Sequence, residues 1–128
     1  MNEFGFSTET HDVWSCDAFV PLIDGKPLTH LIDTFEARAR MQPAGEMYGG
    51  FIEDELAQAF RPGKAQLVLA CSCGAAECWP LQADITVDGD TIVWNEFRQP
   101  RRKDRDYTRF GPFRFDRAQY EEALAELG

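Results

Sequence analysis

Cysteine and histidine are scarce in this chain: four Cys and two His occur in 128 residues. Four thiols are too few for the disulfide-dense scaffold of a small secreted domain. Imidazole chemistry is restricted to His11 and His30. Long apolar runs are lacking too. The longest, Leu67 to Cys71, is five residues, against the roughly 18 that a membrane-crossing helix needs. Residues 1–15 mix Glu3, Glu9, His11 and Asp12 with phenylalanines, a composition without the basic start and apolar stretch of an export signal. These absences predict a cytoplasmic protein that does not engage a membrane. There is also no internal repeat, low-complexity tract or Gly/Ser linker to divide the chain. Gly45, Gly49 and Gly50 do not form a phosphate-binding G-x-x-x-x-G-K-[ST] loop, and no complete catalytic signature is present, so the enzyme question stays open at this level.

Acidic charge is abundant. The 22 Asp and Glu against 13 Lys and Arg give a formal charge of −9, which repels phosphate backbones and argues against a nucleic-acid partner. The charge is also segregated. Residues 1–97 hold 5 basic and 16 acidic side chains, whereas residues 98–117 hold 8 basic and 3 acidic. With 44% hydrophobic and 12% aromatic residues, a chain of this length has material for one core.

Periodicity predicts the elements. Phe19 to Ile23 reads as a strand entering a turn at Asp24-Gly25. Pro21 lacks an amide donor, which places that strand at a sheet edge. Thr29 is the expected N-cap of a helix through about Arg40, with Leu31, Ile32, Phe35 and Ala39 on one face. Phe51, Ile52, Leu56, Ala59 and Phe60 repeat the helical spacing before Pro62-Gly63. The period then changes to that of strands. Ala65 to Cys71 is continuously apolar apart from Gln66 and predicts a central strand. Leu81-Ala83-Ile85-Val87 and Ile92-Val93-Trp94 form a hairpin about Asp88-Gly89-Asp90. That triplet is a turn, since the spaced ligands of a calcium loop are absent. Phe110 to Phe115 is extended and leads to a final helix capped by Asp116, with Gln119 three residues on and Tyr120, Ala123, Leu124 and Leu127 as its apolar stripe. The expected fold is α+β: a single domain with an antiparallel β-sheet, helices packed on it and a C-terminal helix.

Chemistry concentrates in two places. Cys71, Cys73 and Cys78 lie within eight residues at a strand end. As zinc ligands they would need a fourth donor from Cys16, His11 or His30 to complete a tetrahedral site. Cysteine is also among the most buried residue types, which makes packing thiols the competing reading. A redox or nucleophilic thiol would want a neighbouring cation, yet Glu77 is the only charge between Gln66 and Gln82. The second place is the loop bearing Arg98, Arg101, Arg102, Lys103, Arg105 and Arg109, with Tyr107 interleaved. Its guanidinium groups suit an anionic ligand or acidic partner, or else dock on the protein's own carboxylates. Glu53-Asp54-Glu55 is explained as dipole-complementing charge at a helix start. Trp14, Trp79 and Trp94 read as core or sheet-face residues and not as a ligand cage.

The segments Leu69-Ala70-Cys71-Ser72-Cys73-Gly74, Cys78-Trp79-Pro80-Leu81, Val93-Trp94-Asn95-Glu96-Phe97 with Gln99-Pro100, Gly111-Pro112-Phe113 and Phe115-Asp116-Arg117-Ala118-Gln119-Tyr120 together resemble a family of small bacterial cytoplasmic proteins without an established activity. The resemblance covers about half the chain and implies a bacterial, cytoplasmic, single-domain protein. Members often carry His after the Gln-Pro pair where this chain has Arg101, so no base or ligand role transfers to that position.

Small size, acidity and the missing catalytic constellation point first to a non-enzymatic protein-interaction domain, an inhibitor, immunity or accessory protein whose partner is another protein. A zinc-binding domain at Cys71, Cys73 and Cys78, and a small enzyme taking an anionic substrate at Arg98, Arg101, Arg102, Arg105 and Arg109, are the alternatives. Elemental mass spectrometry on freshly purified protein with a thiol titration in denaturant separates the two cysteine readings. Packing thiols give no metal and four titratable groups, whereas a zinc site gives about one zinc per chain.

Overall fold

The computed structural model describes residues 1–11, 16–42, 44, 48–52, 59–71, 79–102 and 104–126. The protein is α+β, with two antiparallel sheets and two helices among the described residues. The first sheet comprises β1 (Phe4–His11), β2 (Cys16–Ile23), β3 (Lys26–Pro27) and β5 (Phe51–Ile52), with β2 paired to the other three. The second runs in the order β4 (Tyr48–Gly49), β6 (Gly63–Cys71), β7 (Leu81–Asp88), β8 (Thr91–Arg98), β9 (Phe113–Asp116). Helix α1 spans Leu28–Arg38 and α2 spans Arg117–Ala125. No described helix is long and apolar enough to cross a membrane.

β2 corrects the edge-strand expectation for Phe19–Ile23. The Glu3 carbonyl accepts from the Asp24 amide and the register of β1 on β2 is unbroken. Backbone groups of Glu3, Gly5 and Ser7 therefore face β2, and those of Phe4, Phe6 and Thr8 face away. Pro21 lies opposite Phe6 and so occupies a non-hydrogen-bonded position on that side. On its other side β2 pairs with β5 at Ala18 and Phe19 and with β3 at Leu22 and Ile23. Pro21 falls in the break between them, so its missing donor costs no ladder bond. Gly50 belongs to the same crossing, because a Cβ there would lie 2.6 Å from the Phe19 carbonyl oxygen.

The Asp24-Gly25 turn forms as expected, with φ of 55° and 78° matching a type I′ hairpin. Pro27, not Thr29, precedes the first helical residue, and it makes no side-chain cap. The chain passes from hairpin to helix without a spare residue, which puts Thr29 inside the first turn. The helix expected from Phe51 is also corrected at its start. Phe51 and Ile52 extend along β2, while Glu53, Asp54, Glu55 and Leu56 lie outside the described residues, as do Trp14, Gly45 and Leu127.

β6 has neighbours on both sides, although β4 reaches only Ala70 and Cys71. Only Val68 to Cys71 are fully buried in it. The hairpin of β7 and β8 forms, but Val87 is 42% exposed, so the buried alternation ends at Ile85. Asp116 caps α2 as expected, accepting from the Gln119 amide at 3.0 Å. The Gln119 side chain does not return to the cap. Its Nε2 donates to the Phe4 carbonyl and its Oε1 accepts from the Phe4 amide at 2.9 Å, continuing the ladder of β1 with a side-chain amide.

Phe4, Phe60, Trp94, Phe115 and Tyr120 form one aromatic core fed by both sheets and α2. The Tyr120 hydroxyl accepts from Trp94 Nε1 at 3.1 Å and donates to the Phe60 carbonyl at 2.5 Å. Replacing Tyr120 by Phe strands two buried polar groups and is expected to lower stability by about 1–3 kcal/mol in urea unfolding.

Candidate functional site

The site builds from α1 and the loop after β8. Along α1 the inward positions are Leu28, Ile32 and Glu36, spaced four apart as helix geometry requires. Glu36 is fully buried, so its carboxylate must be matched from elsewhere. Arg105 Nη1 donates to Glu36 Oε2 at 2.7 Å, with side-chain exposures of 8% and 0%. The Tyr107 hydroxyl donates to the same oxygen at 2.5 Å.

This arrangement sets the hydrogen-bond directions behind it. Tyr107 has one hydroxyl proton, given to Glu36, so at 3.1 Å it accepts from the Tyr48 hydroxyl. Tyr48, its own proton used, accepts from Gln99 Nε2 at 3.5 Å. Gln99 Oε1 accepts the Arg101 amide at 3.0 Å. The relay therefore runs from the loop backbone through Gln99, Tyr48 and Tyr107 to Glu36, and Arg105 closes it. Trp79, also buried, lies beneath the loop, with the Arg102 and Arg105 guanidinium carbons 4.3 and 5.1 Å from its ring centroid.

Electrostatics keep the relay protonated. Burial, reinforced by the bond to Glu36, pushes the Tyr107 hydroxyl well above the usual tyrosine range. Burial likewise raises Tyr48. For Arg105, burial acts to lower the guanidinium pKa, and the neighbouring Tyr107 and Glu36 outweigh it. Neither tyrosine is poised as a base or nucleophile at neutral pH.

Outside the relay, α1 and the loop enclose a cleft of about 590 Å³. Phe35 and Met41 give it an apolar wall, and Arg40, Arg109, Asp104 and Asp106 line it with both signs of charge. Arg40 follows the end of α1 at φ 60°, a left-handed position where glycine is the usual residue. Hydrogen bonds from the Thr108 amide and hydroxyl, at 2.9 and 2.7 Å, hold the Asp106 carboxyl below its ordinary range.

The five loop arginines do not converge on one point. Arg98 Nη2 meets Asp84 Oδ1 at 2.6 Å. Asp84 also accepts the Ala65 amide at 2.9 Å; this hydrogen bond, together with Arg98, keeps its carboxyl low. Asp84 thus joins irregularities in the flanking strands, where Ala65 and Glu96 have φ of 53° and 54°. Arg105 is held by Glu36, Arg102 lies over Trp79, and Arg101 and Arg109 are exposed. Of the cysteine set, Cys71 is buried at the end of β6 opposite Tyr48. Cys73 and Cys78 lie outside the described residues, as does Lys103. Cys16 opens β2 in register with His11, and His30 is exposed on α1. Among the described residues no three His, Cys, Asp or Glu side chains cluster as a metal site.

Glu36, Gln99, Tyr48 and Trp79 were not among the site residues expected from the sequence. One signal was available: Glu36 follows Ile32 by four residues on the apolar stripe of α1. Compared with protein-family models, with curated proteins and with solved structures, the chain matches none.

Removing the Glu36 carboxylate takes the ion-pair partner at 2.7 Å from Arg105 and the acceptor from the Tyr107 hydroxyl. Glu36→Ala is expected to cost about 3–5 kcal/mol in urea unfolding. A pH effect accompanies it. All three tyrosines, Tyr48, Tyr107 and Tyr120, are buried with folded pKa values raised from about 10. Their contribution is complete below pH 10 and is lost as pH rises above it, by up to about 1.4 kcal/mol per pH unit for each tyrosine. Tyrosinate absorbance should therefore rise together with unfolding in an alkaline titration.

Proposed function

We propose that this chain is a non-enzymatic protein-interaction domain, of inhibitor, immunity or accessory type, that meets its partner at the cleft between α1 and the loop. The observation carrying this reading is Arg40. It lines the cleft from a left-handed backbone position that costs a non-glycine residue about 1–3 kcal/mol, and its side chain has no hydrogen-bond or ion-pair partner among the described residues. An exposed guanidinium at this position is available to a carboxylate outside the chain.

The rest of the cleft supports the same reading. Arg109, Asp104 and Asp106 set both charges around Phe35 and Met41, a combination that suits apolar and charged protein side chains together. The formal charge of −9 favours a partner of basic net charge through long-range steering, and the mixed rim then selects the register of docking. Nucleic acid and anionic membrane are disfavoured by the same charge. Cytoplasmic residence belongs to this proposal, supported by a cysteine content suited to reduced thiols.

The anionic-substrate alternative draws less support. Two of its five arginines, Arg98 and Arg105, are neutralised by Asp84 and Glu36.

Affinity capture from a bacterial lysate tests the proposal. A specific partner is expected to bind the native chain, to weaken as salt is raised, and to be lost from a variant carrying Arg40→Glu and Arg109→Glu. It should remain with Arg114→Glu, which alters an exposed residue on β9. Equal capture by all three proteins removes the cleft from the interface.

A further inference from the structure

The outer edge of β1 is a second surface, argued independently of the cleft. β1 is the terminal strand of its sheet, and its unbroken register with β2 turns the amides and carbonyls of Phe4, Phe6 and Thr8 away from β2. At Phe4 both groups are taken by the Gln119 side chain. At Phe6 and Thr8 the outward groups have no hydrogen-bond partner among the described residues, and Thr8 is exposed. The edge is therefore plugged at one end and open along the next stretch, which is the geometry that accepts an added strand.

Charge selects the occupant. Glu122 lies three positions beyond Gln119 on α2, on the same helical face, Glu126 is the C-cap of that helix, and both are exposed. Glu3, beside the plugged position, is exposed as well. A second copy of the chain would bring another −9 against these carboxylates, whereas a basic strand would be attracted. The geometry points to β1 as a docking edge for an extended, lysine- or arginine-bearing segment of a partner protein, added as a strand beside Phe6 and Thr8.

The test uses amide-resolved NMR of the full chain with two blocked hexapeptides, one alternating lysine with valine and one alternating glutamate with valine. The lysine peptide is expected to shift the Phe6 and Thr8 amide resonances more than those of Gly5 and Ser7. The glutamate peptide should bind at least roughly tenfold more weakly. Thr8→Pro removes an outward donor without removing a bond to β2, and should weaken the lysine peptide by roughly tenfold or more. If Thr8→Pro loses the dispersed spectrum of the folded chain, Thr8→Lys replaces it and should weaken the same peptide by charge repulsion.

Three results overturn the proposal. One is that Phe6 and Thr8 stay unshifted with both peptides, or that folded variants at Thr8 bind the lysine peptide as the native chain does. Another is equal binding of the two peptides, which removes the basic character of the occupant. The third is a native dimer in sedimentation that Thr8→Pro converts to monomer, which assigns the edge to a second copy.

Discussion

A carboxylate wholly withdrawn from water governs half of this molecule. Glu36 occupies a position on α1 where an apolar residue would have packed without further demands. Once placed there, its charge requires a cation and its oxygens require donors, because the cost of leaving them unmatched exceeds what a small domain can tolerate. Arg105 and Tyr107 answer both requirements from a segment 69 and 71 residues away. The loop after β8 is thereby drawn onto α1. With it come the protonated relay through Tyr48 and Gln99, the stacking of Arg102 and Arg105 on Trp79, and the walls of the cleft.

The other half depends on α2. Tyr120 stacks on Phe4 at a centroid distance of 4.2 Å, and its hydroxyl joins Trp94 of β8 to the Phe60 backbone. Gln119, one residue earlier, fastens Phe4 through both backbone groups. Adjacent side chains of one helical turn thus link elements from the two sheets. Asn2 adds a further tie, since its amide donates to the Arg114 carbonyl and its side chain donates to Asp24.

Local signals were legible where the chemistry itself was local. The Asp24-Gly25 turn, the cap on α2 by Asp116 and the hairpin of β7 and β8 follow from nearby residues, and each forms. The position of β2 was misread because proline's missing donor matters only on the side where a ladder bond would fall, and that depends on partners far along the chain. The helical spacing of Phe51 and Ile52 yielded to pairing with Ala18 and Phe19. The basic loop was visible as a run of arginines, but its division among Asp84, Glu36 and Trp79 arises from tertiary contacts. Glu36 itself was hidden in plain view, as a charged residue that keeps step with Leu28 and Ile32.

The bond between Gln119 and Phe4 spans 115 residues, and this separation bears on how the chain becomes a folded protein. During synthesis β1 and β2 are made together and can pair locally, while the amide that covers Phe4 is made only after the described strands of both sheets have been synthesised. Closing so long a loop carries an entropic cost that local pairing does not repay. From the synthesis of β1 to that of α2 the first strand therefore lacks this cover at Phe4, and completion of α2 closes that end of its outer edge.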